Sequence, residues 1–368
     1  MVLRAFVLAL ASLAISATAA FAQAPAPALS DAFALRGIEV DRTAPTAAQA
    51  REQAIAEGQR LAWRRLVERL VPIAARSGLE AIPAAEIVPL IDSFGVETER
   101  GSGTRWLGSL AYRFKAEGVR RLFRSRNVPF AETLARPVVI VPVLVRDGQA
   151  ALWEDDNAWR LAWANLPPSA GLQPWSVPKA DLDDAGLIGA EQAAAADRAG
   201  LRALSAHYRT QGAIVVLADY AAGGTAVQIR VARVGAPAPD ADWQLDVPLN
   251  AGEAVDDAWP RLARLAADAI EERWKAEVLV EGGEITSLRA TVPVSDIAEW
   301  VTLRRRLGEV ATVKRMEVLV LGRGGAIVEL RHEGGEEALR TALAQRDLSL
   351  LADEGGWRLQ LAERAGRP

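Results

Sequence analysis

Apolar residues recur along this chain in two rhythms. Steps of three and four positions mark helices, and alternating or continuous runs mark strands. Residues 33–40 carry Phe33, Leu35, Ile38 and Val40 in a broken alternation that predicts a strand. Thr46-Ala-Ala-Gln49 has the form of a capping box. Ala54, Gly58, Leu61, Ala62, Leu66 and Leu70 follow at helical steps, predicting an amphipathic helix that stops before Pro72. A short helix is expected over residues 84–91. A hairpin is expected from 94–98 and 105–114 around Gly101-Ser-Gly103, and a closing helix over 117–126.

A second group of elements opens at Pro137. Residues 138–145 are almost continuously aliphatic, as a strand buried on both faces should be, and Pro142 places part of it at an edge. Asp155 and Asp156 suit a helix start, with that helix running to about Leu166 before Pro167-Pro168. Residues 191–208 predict one Ala/Leu helix, 213–217 and 226–234 predict strands around Gly223-Gly224, and 243–247 a further strand. Residues 256–274 predict a long helix. In the third group the order is strand 285–292, helix from Ser295 to Gly308, strands 310–321 and 326–332, helix 336–345, and a final strand or strand pair at 348–351 and 357–361. That order matches a βαββαβ, ferredoxin-like module. The fold class is therefore α/β (α+β), with several small mixed sheets and packed helices.

The first residues carry an address. A basic start at residues 1–4, an uncharged apolar stretch from Ala5, and Ala20-Phe21-Ala22 before Gln23 have the form of a signal peptide over residues 1–22, cut after Ala22. Residues 23–32 read as an Ala/Pro linker. The expected units are 33–136, an N-terminal βαββα domain; 137–276, a middle α/β domain; and 277–368, the ferredoxin-like module. No later run is long and apolar enough to span a membrane, so the expected location is the periplasm or the exterior.

Composition narrows the chemistry. Of 368 residues none is cysteine, two are histidine and four are lysine, and the formal net charge is −4. Thiol chemistry and Cys-rich metal sites are excluded, and a dominant nucleic-acid-binding face is disfavoured. His207 and His332 are far apart in sequence, His332 preceding a Glu-Gly-Gly turn and expected as a solvated turn residue, and His207 closing a helix. No nucleophile elbow or phosphate-binding glycine loop is present. Asp181-Leu-Asp183-Asp184-Ala185-Gly186 begins like a calcium loop, but Ala185 and Gln192 stand where ligands are needed, leaving a helix start as the simpler reading. No catalytic residue, cofactor or metal is therefore expected.

Two segments offer a partner or ligand surface. Arg113, Lys115, Arg120, Arg121, Arg124 and Arg126 face only Glu117, a local balance of +5, with Arg120, Arg121 and Arg124 close together on a helix. Such a patch would meet an acidic partner or an anionic surface, or else be a plain solvated face. Trp153, Trp159, Trp163 and Trp175 are four of eleven tryptophans. They would line a ligand groove or dock a helix onto its sheet.

Several stretches resemble a known family. Val40-Asp41, Ala50-Arg51, Ala54, Gly58-Gln59-Arg60 and Ala62 are similar to the start of domain-of-unknown-function family 2066. So are Tyr112-Arg-Phe114, Leu122-Phe123, Val128-Pro129-Phe130, Arg136-Pro-Val-Val-Ile140, Asp181-Leu-Asp-Asp184 and Leu204-Ser-Ala-His207-Tyr208. Phe130 departs from the pattern, which leads one to expect tryptophan there. The resemblance implies a proteobacterial envelope protein with no assigned activity and no functional residues to carry over. The expected function is a non-catalytic accessory or scaffold protein acting through protein contacts. The alternative is a periplasmic receptor for a cell-wall glycan, lipid or small apolar ligand, using the Trp-rich segment.

Overall fold

The first strand, β1 (Ala34–Thr43), leads into α1 (Ala47–Leu70), which begins where the Thr46 hydroxyl accepts from the Gln49 amide at 3.2 Å. In this computed structural model the described residues are 31–362 except 80, 236–239, 281–284, 323 and 354–355. The expected leader, and the tether up to residue 30, lie outside them. Pro72, lacking an N–H, follows the end of α1. One stripe of α1, including Ala54, Ala62, Leu66 and Leu70, is buried against the sheet. Gly58 lies in that stripe because a Cβ there would sit 2.7 Å from both Leu110 Cδ1 and the Tyr112 hydroxyl. The chain continues through α2 (Ala84–Ile87), β2 (Ile91–Gly101), β3 (Arg105–Phe114) and α3 (Ala116–Ser125). α2 is shorter than the expected helix over 84–91. A 3₁₀ turn holding Pro89 follows it, and Ile91 already pairs with β3. The sheet order is β1-β3-β2, antiparallel throughout.

The middle sheet is built from β4 (Val138–Arg146), β5 (Gln149–Ala151), β6 (Trp175–Ser176), β7 (Gly212–Tyr220), β8 (Ala226–Val234) and β9 (Ala241–Pro248). Its order is β5-β4-β7-β8-β9, with β6 beside β4. β4 runs parallel to β7 along its whole length. On its other side β6 covers only 138–139 and β5 only 144–146, so Pro142 falls in a gap where no strand needs its missing N–H. Side chains alternate between two cores. Val138, Ile140 and Leu144 face α4 (Ala158–Ala164) and α8 (Val255–Glu277). Val139, Val141 and Val143 face α5 (Leu182–Leu187), α6 (Ala190–Ala194) and α7 (Arg198–His207). This is a three-layer α/β arrangement.

Two helix expectations change here. The Asn157 side chain, not Asp155 or Asp156, caps α4 by accepting from the Arg160 amide at 3.1 Å. The single helix expected over 191–208 is two, α6 and α7. The chain breaks at Ala196, whose φ is +53°, and the Asp197 carboxylate restarts it by accepting from Ala199 and Gly200. An Asp side chain competing for free amides wins over continued helix in so Ala-rich a stretch.

The last sheet contains β10 (Ile285–Val292), β11 (Val313–Gly322), β12 (Gly325–Glu333), β13 (Leu348–Asp353) and β14 (Gly356–Leu361). α9 (Ile297–Gly308) and α10 (Glu336–Ala344) accompany it. Asp296 rather than Ser295 is the α9 cap, accepting from the Glu299 amide at 2.8 Å. The order is β11-β12-β10-β14-β13. Of the two endings expected, a final strand or a strand pair, the pair is present, so the sheet has five strands rather than the four of a plain βαββαβ order. The last two strands pair as a β13–β14 hairpin, and β14 lies parallel to β10, separating it from β13. The helices cover one face of this sheet through Leu303, Leu307, Leu339 and Leu343.

The three sheets are built from residues 34–114, 138–248 and 285–361, but one core draws on more than its own sheet's stretch. Leu172, Trp274, Val278 and Val280 all belong to the core of the first unit. Trp274 reaches it from the last turns of α8, where its indole donates to the Thr133 carbonyl at 2.8 Å. No helix among the described residues is long and apolar enough to cross a membrane.

Candidate functional site

The four tryptophans do not line one groove. Trp159 and Trp163 are fully buried where α4 packs on the sheet. The Trp159 indole donates to the Val216 carbonyl at 2.9 Å, and its ring packs against Trp163 and Trp259. Helical spacing put both rings on the docking face, which answers a core requirement. Trp153 lies on the other side of the sheet, partly buried, with its indole donating to the Ile188 carbonyl. Trp175, placed by β6, packs edge-on against Trp163 at 5.5 Å and is the one of the four that borders an open cleft.

The basic helix α3 is likewise not a free cationic patch. Arg120 pairs with Glu117 and, at 2.7 Å, with the buried Glu132. Arg124 pairs with Glu333, which is also buried. Lys314, from β11, closes the chain of charges with Glu132 at 3.4 Å and Glu333 at 3.2 Å. Burial alone would lower the Arg120 pKa, but Glu132 and Glu117 leave it above its ordinary value. Arg124, through Glu333, and Lys314, through Glu132, tie the first unit to the third. Arg121 alone of the three stays exposed, with no hydrogen bond or ion pair among the described residues.

A second set of charges holds α8 to α1. The Lys275 ammonium is fully buried and donates to the Glu68 and Val71 carbonyls and to Glu272 at 2.9 Å. Arg76 joins Glu272 at 3.1 Å. Arg69 donates to the carbonyls of Ala32, Ala34 and Ala170, and burial pulls its pKa down to about 10. The Glu271 carboxylate accepts from the amides of Leu172 and Gln173. Burial pushes its pKa up, and those amides and Lys275 hold it back.

The acidic loop is a helix start. Asp181 caps α5 by accepting from the Asp184 amide at 3.1 Å. Asp184 is wholly buried and accepts from the Ala180 amide and the Tyr208 hydroxyl, each at 2.8 Å. Burial and that carboxylate push the Tyr208 pKa upward. No group of three or more metal-ligating side chains occurs among the described residues. His207 ends α7 with its ring 5.1 Å from that of Tyr208, exposed as expected of a helix C-terminus. His332 departs from the solvated turn expected of it. It is only 4% exposed, its Nε2 lies 3.2 Å from Thr286 Oγ1 across β10, and burial lowers its pKa. The reason is that β12 runs one residue past it.

The surface that stands out is one the residue inventory passed over. β11 is the edge of the last sheet, paired only with β12 among the described residues. Its second half exposes Val318, Leu319, Val320 and Leu321 by 43%, 44%, 54% and 61%. Register shifts between Val318 and Val320, so the strand bulges there and shows apolar side chains toward both faces. A run of four aliphatic residues without alternation, in the strand that the split βαβ connection puts at an edge, is the sequence signal that marks it. No protein-family model matches the chain. No curated protein matches it either. Function here is read from the chain's own chemistry.

Proposed function

We propose that this chain is a non-catalytic accessory or scaffold protein of the bacterial envelope, exported by its leader and acting through protein–protein contacts made by the open edge of β11. The observation that carries the reading is the exposed aliphatic run 318–321 on an edge strand, paired on one side only among the described residues. Soluble chains blunt such edges with charge or cover them, and a partner strand added there gains backbone hydrogen bonds and buries the run. The distribution of charge supports the same reading. The buried Glu132, Glu333 and Lys275 are engaged in contacts that join units, and the paired acids, Asp181 and Asp184, serve a cap and a core hydrogen bond. The resemblance to domain-of-unknown-function family 2066 and the signal-peptide pattern of residues 1–22 support export.

The test is the double substitution Leu319→Lys and Leu321→Lys. The variant keeps the circular dichroism and melting temperature of the parent, since both side chains face solvent. It loses co-purification with the protein that the parent retains from envelope extracts. A variant that keeps that protein removes β11 from the reading.

A further inference from the structure

A cleft of about 470 Å³ lies where the C-terminal half of α1, the loop 167–175 and α8 meet. That volume is in the range of small-ligand sites, and the cleft sits at a junction of two units, where such sites concentrate. Its wall combines three kinds of surface. The half-buried Trp175 and Pro167-Pro168 give an apolar side. The floor is fixed: Arg69 is held by three carbonyls and Glu271 by two backbone amides, so neither turns toward a ligand without breaking bonds. The rim is uncommitted. Asp268 and Arg264 make no hydrogen bond or ion pair among the described residues, the Glu68 carboxylate makes none, and the Arg65 guanidinium makes one, to the Gly37 carbonyl at 2.9 Å.

We infer that this cleft binds a saccharide chain, with one sugar ring against Trp175 and its hydroxyls bridging Asp268, Glu68, Arg65 and Arg264. The inference goes beyond the contact at β11 and stands independently of it. Charge balance selects the class. The lining arginines (Arg65, Arg69, Arg76, Arg264) equal the lining carboxylates (Glu68, Asp268, Glu271, Glu272) in number, so the cleft carries no net positive field for a bare anion. Charged rim groups on both sides disfavour a wholly apolar ligand, whose binding would desolvate them without replacement bonds. A polyhydroxylated ring meets both demands. Each hydroxyl donates to a carboxylate and accepts from a guanidinium, and the C–H face packs on an indole. Asp268 fits its part, since desolvation in the cleft raises its pKa while Arg264 and Arg76 hold it down.

The experiment is titration of the purified mature chain, by calorimetry, with tetramers of N-acetylglucosamine and of glucose. Inorganic phosphate and a tripeptide serve as parallel probes. Saturable binding of either tetramer, weakened about tenfold or more by Trp175→Ala and by Asp268→Asn at unchanged melting temperature, supports the site. Binding of neither tetramer overturns it. So does tetramer binding that both variants keep, or saturable uptake of phosphate or tripeptide alone. None of these outcomes depends on the β11 edge, so failure here leaves the contact reading standing.

Discussion

Gly58 shows how closely one residue fixes the approach of α1 to its sheet. With Leu110 and the Tyr112 hydroxyl both 2.7 Å from where a Cβ would lie, Gly58→Ala forces the helix or the β3 side chains to move. We expect a loss of about 1–3 kcal/mol, read as a lower urea midpoint with an unchanged slope. His332 supplies a test of the opposite kind, through protons. Burial depresses its folded-state pKa, so its neutral form stabilises the fold above the unfolded value of about 6.5 and that stability is lost as pH falls. The stability advantage of the parent over His332→Gln should therefore shrink between about pH 7.5 and about pH 5. A constant gap would show that the ring titrates as it does in the unfolded chain, and a gap that widens toward low pH would show that folding raises its pKa.

At the scale of elements, periodicity made most of the fold legible and pairing across long sequence distances made the rest illegible. α1 and α8 were readable because each has a clear apolar stripe. The break between α6 and α7 was hidden, because Ala and Leu surround it and only Asp197 marks the restart. The βαββα order and the β8 hairpin followed from turns and alternation, whereas the insertion of β14 between β10 and β13 depends on which strand finds which partner. The same limit governed the candidate surfaces. Arg120 and Arg124 looked unopposed because Glu132 and Glu333, which neutralise them, come from elements that only the tertiary fold brings near. The Glu132→Gln variant leaves Arg120 and Lys314 short of a buried counter-charge and should cost about 3 kcal/mol, while Arg121→Gln should fall within about 0.5 kcal/mol of the parent. Equal effects in denaturant melts would contradict the assignment of one arginine to a buried network and the other to solvent.

Across the whole molecule, charge and aromatic mass go into joining the units. α8 spans the middle sheet and buries Trp274 in the core of the first unit, while Lys275 on the same turn anchors the end of α1. The pairs Arg124–Glu333 and Lys314–Glu132 then join the third unit to the first. Lys314 thus fixes the start of β11 against Glu132 of the first unit, while the second half of the strand exposes its aliphatic run. The proposed contact would use a strand already formed, which lowers the ordering cost of adding a partner strand. The most direct measurement is in-cell photocrosslinking from a benzoylphenylalanine placed at position 319 or 321, with position 121 as the exposed control. We expect one discrete protein adduct from both β11 positions, abolished by Leu321→Lys in the 319 probe, and none from position 121. Adducts from all three positions alike, or none from β11, would contradict the claim that this protein works by offering that edge.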